Sequence, residues 1–195
     1  MKKKERSVNI PTIEEVENEQ KRLRHRAVYQ RTLRGTIAVL LVVAAISVLV
    51  ATLWMPVLQI YGSSMSPTLE AGQIVVSVKT NQLKTGEVVA FWQGNKLLVK
   101  RVIAGPGQWV DIDMDGNVTV DGKELTEDYL DVKALGNCDV ELPHQVEESR
   151  WFLMGDNRDV SVDSRSAAIG DVSKDQIEGK IVFRIWPLKE FGSIQ

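Results

Sequence analysis

Residues 35–69 carry no charged side chain at all. No other feature constrains the fold of this chain as strongly. Within that run, "TIAVLLVVAAISVLVATLWM" (36–55) is almost wholly apolar. Twenty helical residues rising about 1.5 Å each cover roughly 30 Å, the thickness of a bilayer's hydrocarbon core. Trp54 and Tyr61 fall where an aromatic interface belt would sit. A buried core helix of this length would show a polar face, and the apolar region of a cleavable leader is shorter. The pattern predicts a transmembrane helix over 35–57, dividing a tail (1–34) from a domain (58–195).

Charge gives the orientation. "KRLRHRAVYQRTLR" (21–34) has six Lys/Arg and no acid. Basic flanks remain in the cytoplasm, so the expectation is a single-pass plasma-membrane protein with a cytoplasmic N-terminus and an extracytoplasmic domain. The first twenty residues mix charges around Pro11 and read as disordered or weakly helical. Residues 1–34 are net +5 and the remainder net −7, so the body lacks the basic face that a nucleic-acid partner requires. The lone cysteine, Cys138, excludes an internal disulfide.

Residues 58–195 read as short β-runs broken by turn signals. "QIVVSVK" (73–79), "EVVAFWQ" (87–93), "KLLVKRVIA" (96–104) and "QWVDID" (108–113) follow in order. Gly94-Asn95 predicts a hairpin between the middle two. Asp115-Gly116 and Asp121-Gly122 flank "NVTV" and predict a second hairpin or meander, and "RWFLMG" (150–155) and "KIVFRIW" (180–186) supply late strands. Helical periodicity is confined to patches such as 173–178, and 125–145 reads as a long surface excursion. The fold class is therefore mainly β: a barrel or a pair of packed sheets behind one N-terminal helix.

Candidates for chemistry are few. His25 lies in the basic tail, and His144 sits in an irregular acidic stretch without a partner pattern, so a Ser-His-Asp triad is poorly supported. "DIDMDGN" (111–117) lacks the spacing of a calcium loop and fits a hairpin turn. No metal or cofactor is expected. A serine can instead be activated by a lysine whose ammonium is desolvated, so that its pKa falls toward working pH. Lys100, inside "LLVKRVIAG", is the best candidate. On a strand Leu98, Lys100 and Val102 share one face, so either Lys100 or Arg101 faces inward. A strand end where both charges reach water remains the alternative reading.

Taken together, "GSSMSPTL" (62–69), "KRVIAGPG" (100–107) and "GDNRDVSVDSR" (155–165) resemble, in order, the signature blocks of type I signal peptidases. "TGEVVAF" (85–91) resembles a further block, with Glu87 where Asp is more usual, and "RIWPL" (184–188) closes the set. The short interval between blocks is similar to the compact Gram-positive form. The resemblance implies a membrane-bound Ser/Lys endopeptidase that removes signal peptides from exported preproteins after an Ala-x-Ala-like site. Its partners would be those signal peptides and the lipid bilayer, near the export translocon. By position, Ser64 would be the nucleophile and Lys100 the general base, where endoplasmic-reticulum-type relatives carry His. Ser161 would orient the lysine amine, and Asp163 with Arg165 would shape that wall of the site. Arg101 with Asp156 would form a second ion pair.

Many Gram-negative relatives place a serine two residues before the nucleophile, where its hydroxyl helps hold the oxyanion. Here that position is Gly62, so the oxyanion would depend on the Ser64 backbone N–H, with Gly62 or water supplying any second donor. The substrate would bind extended along strands, with Ile60, Leu69, Leu98 and Val99 as wall residues. A self-cleaving Ser/Lys protein of the LexA type lacks a membrane anchor, which argues against that reading. A dedicated maturation peptidase for pilin-like substrates and a non-catalytic membrane-tethered β-domain remain as alternatives.

Overall fold

The computed structural model describes residues 12–80 and 82–194. Helix α1 spans Ile13–Trp54, 42 residues with none buried. Its start is set by a reciprocal cap: the Thr12 N–H donates to Glu15 Oε2 at 2.9 Å, and the Glu15 N–H to Thr12 Oγ1 at 3.4 Å. Residues 13–20 are therefore regular helix, where mixed charge had predicted disorder or weak helicity. The helix stops at Trp54, short of the expected 57, because Pro56 disfavours helical geometry at Met55. Its most apolar 18-residue window has a mean hydropathy of 2.8, long and apolar enough to cross a membrane.

The second unit, Ala51–Gln195, is built from two antiparallel sheets. The larger sheet begins with β1 (Val57–Gln59) and β2 (Ile74–Val78). The hairpin β3 (Val88–Gln93) and β4 (Lys96–Ala104) follows, Gln93 facing Lys96 across Gly94, whose φ of +57° suits a residue without Cβ. β5 (Trp109–Ile112), β6 (Val118–Val120), β7 (Lys123–Glu124) and β8 (His144–Gln145) make the second sheet, with β5–β7 the predicted meander. β9 (Arg150–Met154), β10 (Val172–Ser173), β11 (Ile177–Trp186) and β12 (Gly192–Ser193) return to the first sheet. Its order is β1-β2-β11-β3-β4-β9-β10, with β12 on β11. Of the two architectures expected, packed sheets form; the large sheet ends at β1 and β10 and does not close into a barrel.

The core divides into three clusters, two of them on opposite faces of the large sheet, where Val88 and Val89 of β3 point to different ones. One cluster, with Ile103, Val110, Val118, Phe152 and Met154, joins the small sheet to β4 and β9. A second gathers Ile60, Met65, Leu69, Val75, Val88 and Ile181 beneath the loop after β1. A third packs Val89, Phe91, Val102 and Leu153. The excursion at 125–145 is not merely a surface feature: Leu125, Leu135, Val140 and Leu142 pack on the first cluster, and Glu127 is buried. The helical patch at 173–178 is one 3-10 turn, Lys174–Gln176.

Candidate active site

β4 is covered unevenly, and that places the lysine. Its first half pairs only with β3; β9 joins from Arg101 onward. Burial follows the pairing, partial at Leu97, Leu98 and Val99 and complete from Lys100. Both Lys100 and Arg101 are buried, at 3% and 1% exposure. The strand alternation predicted that one of them would face outward. It fails because, past residue 100, other elements cover β4 on both faces. Arg101 makes a two-pronged ion pair with Asp156 (2.9 and 2.7 Å) and donates to the Gly86 carbonyl at 2.6 Å. The alternative of charges reaching water at a strand end is excluded.

Ser64 lies in the turn after β1. Met65 and Leu69, buried beneath it, fasten that turn to the core. The Asn157 N–H donates to the Ser64 carbonyl at 3.0 Å, holding its backbone from the other side. Lys100 Nζ and Ser64 Oγ meet at 2.7 Å. Burial pushes the Lys100 pKa down; Asp163 and Asp156 oppose this and Arg165 adds to it, leaving the amine below its ordinary value. A desolvated amine at hydrogen-bond distance from a hydroxyl is equipped to take its proton.

The lysine lowers stability for the same reason. Its folded pKa lies below the unfolded one, so between those values the unfolded chain binds more protons and stability rises with pH. Lys100→Met, which keeps the stem and removes the charge, is expected to match or exceed the wild-type Tm at neutral pH. The difference should narrow toward the ordinary lysine pKa. A Tm several degrees lower at neutral pH would contradict this.

Around the pair run the loop residues 155–165. Asp163 and Arg165 are fully buried and joined at 2.9 and 2.8 Å. Burial by itself raises the Asp163 pKa, but the Arg165 guanidinium, by hydrogen bond and charge, and the Gly155 N–H outweigh it and hold the carboxyl below its ordinary value. Gly155 has no room for a side chain: a Cβ there would overlap Ser161 Oγ and the Ser64 carbonyl oxygen. Ser161 is thus beside Ser64; its buried Oγ makes no hydrogen bond of good geometry, though it lies close enough to the Asp163 carboxylate to help hold that pKa down. The Lys100 amine is bonded to Ser64 and not to Ser161.

A cleft of about 400 Å³ opens at the pair, walled by residues 57–62 on one side and 97–99 on the other. Three of the four expected wall residues, Ile60, Leu98 and Val99, line it together with Gly62, Ser64 and Lys100. Leu69 does not; it is wholly buried in the core below. Gly62 has φ +81°, a conformation that side chains resist. His144, in a stretch without a partner pattern, lies on β8 with its Nε2 3.0 Å from the Asp171 carboxylate, outside the cleft lining. Among the described residues no group of three or more His, Cys, Asp or Glu is placed to hold a metal ion. Asp113 accepts instead from the N–H groups of Asp115 and Asn117, which makes 111–117 a capped hairpin turn.

Residues 33–186 match the family model described as signal peptidase, peptidase S26. The chain belongs to the signal peptidase family. Signal peptidase IB of Staphylococcus aureus (strain COL) is 39% identical over 153 residues, 68% of this chain and 78% of that protein. Signal peptidase I of Bacillus licheniformis is 32% identical over 169 residues, 78% of this chain and 88% of the relative. A crystal structure of a signal peptidase I from Enterococcus faecalis V583 aligns with a TM-score of 0.43 at 25% identity, covering 52% of this chain and 98% of that one.

Within this signal peptidase domain the sequence did not reveal Glu127, Tyr129 and Arg158. Arg158 and Glu127, each with its side chain at most 1% exposed, are joined at 2.5 Å. Their separation of 31 residues left no local pattern to read. The one available signal was an arginine in "GDNRDVSVDSR", which needs a counter-charge if buried.

Proposed function

We propose that this chain is a membrane-bound serine endopeptidase that removes N-terminal signal peptides from preproteins, with Ser64 as nucleophile and Lys100 as general base. The observation that carries this reading is the 2.7 Å contact between Nζ and Ser64 Oγ at the floor of the cleft. The family membership gives the reaction class.

The residues divide the work as follows. The neutral Lys100 amine takes the Ser64 proton as Oγ attacks the scissile carbonyl. The resulting ammonium hands that proton to the leaving amide nitrogen, and an acyl-enzyme remains. Water, deprotonated by the same amine, then attacks the acyl carbon; the ammonium returns that proton to Ser64 Oγ as the ester bond breaks, releasing the signal peptide's new C-terminus. The Ser64 N–H, two residues after Gly62, serves the developing oxyanion. Ser161 Oγ turns to the amine when the proton moves, and Asp163 with Arg165 fixes the loop that carries it.

The substrate enters extended. β1 is the terminal strand of its sheet, and residues 96–100 of β4 pair on one side only, so two strand edges border the cleft. The cleft lining at Ile60 and Val99 would favour small side chains, alanine at the positions defining an Ala-x-Ala site. We assign 1–34 to the cytoplasm on the six Lys/Arg of residues 21–34, a single span to the apolar part of α1, and the β-domain to the outer side. Ser64 follows Trp54 by ten residues, so an extended connection of about 35 Å at most ties it to the helix end, near bilayer lipid and the emerging preprotein.

Purified full-length protein in detergent should cleave a preprotein bearing an Ala-x-Ala site, and chelators should leave the rate unchanged. Because the base must be neutral, kcat/KM should rise with pH along a limb whose midpoint is below the ordinary lysine pKa. Flat rates through that range would oppose the assignment.

A further inference from the structure

The excursion at 125–145 returns to the catalytic loop through charged side chains buried out of water. Arg158 carries the link. Its Nε donates to the Gly155 carbonyl at 3.1 Å, and its guanidinium closes on Glu127 at 2.5 Å. Gly155 abuts both Ser161 Oγ and the Ser64 carbonyl, and the Asn157 N–H, one residue before Arg158, holds that same carbonyl. Glu127 also accepts from the Tyr129 hydroxyl at 2.8 Å. Burial, then the Glu127 charge, raise the Tyr129 pKa, so that hydroxyl stays protonated and donates. The Tyr129 ring in turn lies under Arg101, 3.8 Å from the guanidinium carbon, and Arg101 is the partner of Asp156.

We infer that Glu127 is a positioning residue for the reaction: through Arg158 and, by way of Tyr129, through Arg101–Asp156, it fixes the 155–158 turn against the backbone of Ser64. This rests on the reading of Ser64 and Lys100 given above. A buried ion pair is weak evidence for stability, since an apolar pair of equal volume often serves as well. Its geometric specificity is another matter. Asp156 is gripped by Arg101 and Thr68, Gly155 by Asp163 and Arg158, and Arg158 by Glu127. The partners outside the loop, Arg101, Thr68 and Glu127, come from three different segments, so loss of one lets the Ser64 carbonyl drift relative to Lys100. A shift of about 1 Å in a reacting group costs on the order of 100-fold in rate. The cleft walls, 57–62 and 97–99, make none of these bonds, although 97–99 share β4 with Arg101.

Steady-state cleavage of one preprotein by full-length wild type, Glu127→Ala, Glu127→Gln, Tyr129→Phe and Ser64→Ala tests this, with folded fraction measured by circular dichroism. Tyr129→Phe keeps the ring over Arg101 and every ion pair, so it stays informative if Glu127→Ala unfolds. The expectation is a kcat loss of about 10–100-fold for Glu127→Ala and about 3–10-fold for Tyr129→Phe, with KM unchanged. Glu127→Gln should recover part of the loss. The acid limb of the pH profile should also move upward in the first two, since a loosened turn admits water to the Lys100 amine. A merely structural role would lower the folded fraction and leave the limb where it was. Wild-type kcat and limb in folded Tyr129→Phe and Glu127→Gln would overturn the inference while Ser64→Ala remains inactive. Activity in Ser64→Ala would instead overturn the reading beneath it.

Discussion

Ser64→Ala and Lys100→Ala should each lower the rate of preprotein cleavage by about ten-thousand-fold, to a level set by binding alone. Neither loss should come from unfolding. Ser64 Oγ has the Lys100 amine as its partner, so the alanine removes one hydroxyl and leaves the turn fastened by Met65 and Leu69. The double variant should be no slower than either single one, because the two groups act in one proton transfer. Ser63 and Ser66 flank the proposed nucleophile, and Ser63→Ala and Ser66→Ala should keep most of the activity. Discontinuous assays with enough enzyme to detect a ten-thousandth of the wild-type rate would decide it. Equal losses at Ser63 or Ser66, or activity persisting in Ser64→Ala, would remove the nucleophile from the account.

Breaking the Asp163–Arg165 pair should have the largest effect on stability. Both side chains are fully buried, and Arg165 also donates to the Leu135 carbonyl at 2.6 Å. Arg165→Ala strands a carboxylate out of water, with the Gly155 and Arg165 N–H groups as its remaining donors. Removing one partner of such a pair costs about 3–5 kcal/mol. For a chain of this size that lowers Tm by roughly 6–20 °C in calorimetry. Asp163→Leu with Arg165→Met, which removes both charges and keeps the volume, should regain part of the lost Tm. Activity should stay low in the double variant, because the pair holds Gly155 against Ser64 and Ser161. A double variant that regains activity together with Tm would reduce the pair to a stabilising element.

The sequence carried the local part of this structure well. Gly94-Asn95 predicted the β3–β4 hairpin because a turn is decided by the residues within it. Lys100 was legible since a charge amid Leu97, Leu98, Val99, Val102 and Ile103 is costly on a strand unless it has a use. Arg101 was half legible: its pairing with Asp156 was anticipated, but not that β4 is enclosed on both faces. That depends on β9 and Tyr129, which lie far along the chain. Leu69 illustrates the opposite error, for it lies near Ser64 in sequence yet anchors the turn from below rather than lining the cleft. Glu127 and His144 were read as parts of an acidic excursion, because their partners Arg158 and Asp171 are 31 and 27 residues away. At the N-terminus, mixed charge concealed a capping box that starts a helix at Ile13.

Proton transfer from Ser64 requires a Lys100 amine that is neutral in the folded enzyme near working pH. Titration of the Lys100 side-chain nitrogen by ¹⁵N NMR, in full-length protein in detergent and assigned with Lys100→Met, measures that property directly. The prediction is a midpoint below the ordinary lysine value of about 10.4, coinciding with the acid limb of cleavage. A midpoint at the ordinary value, with the enzyme fully active on its acid side, would contradict it.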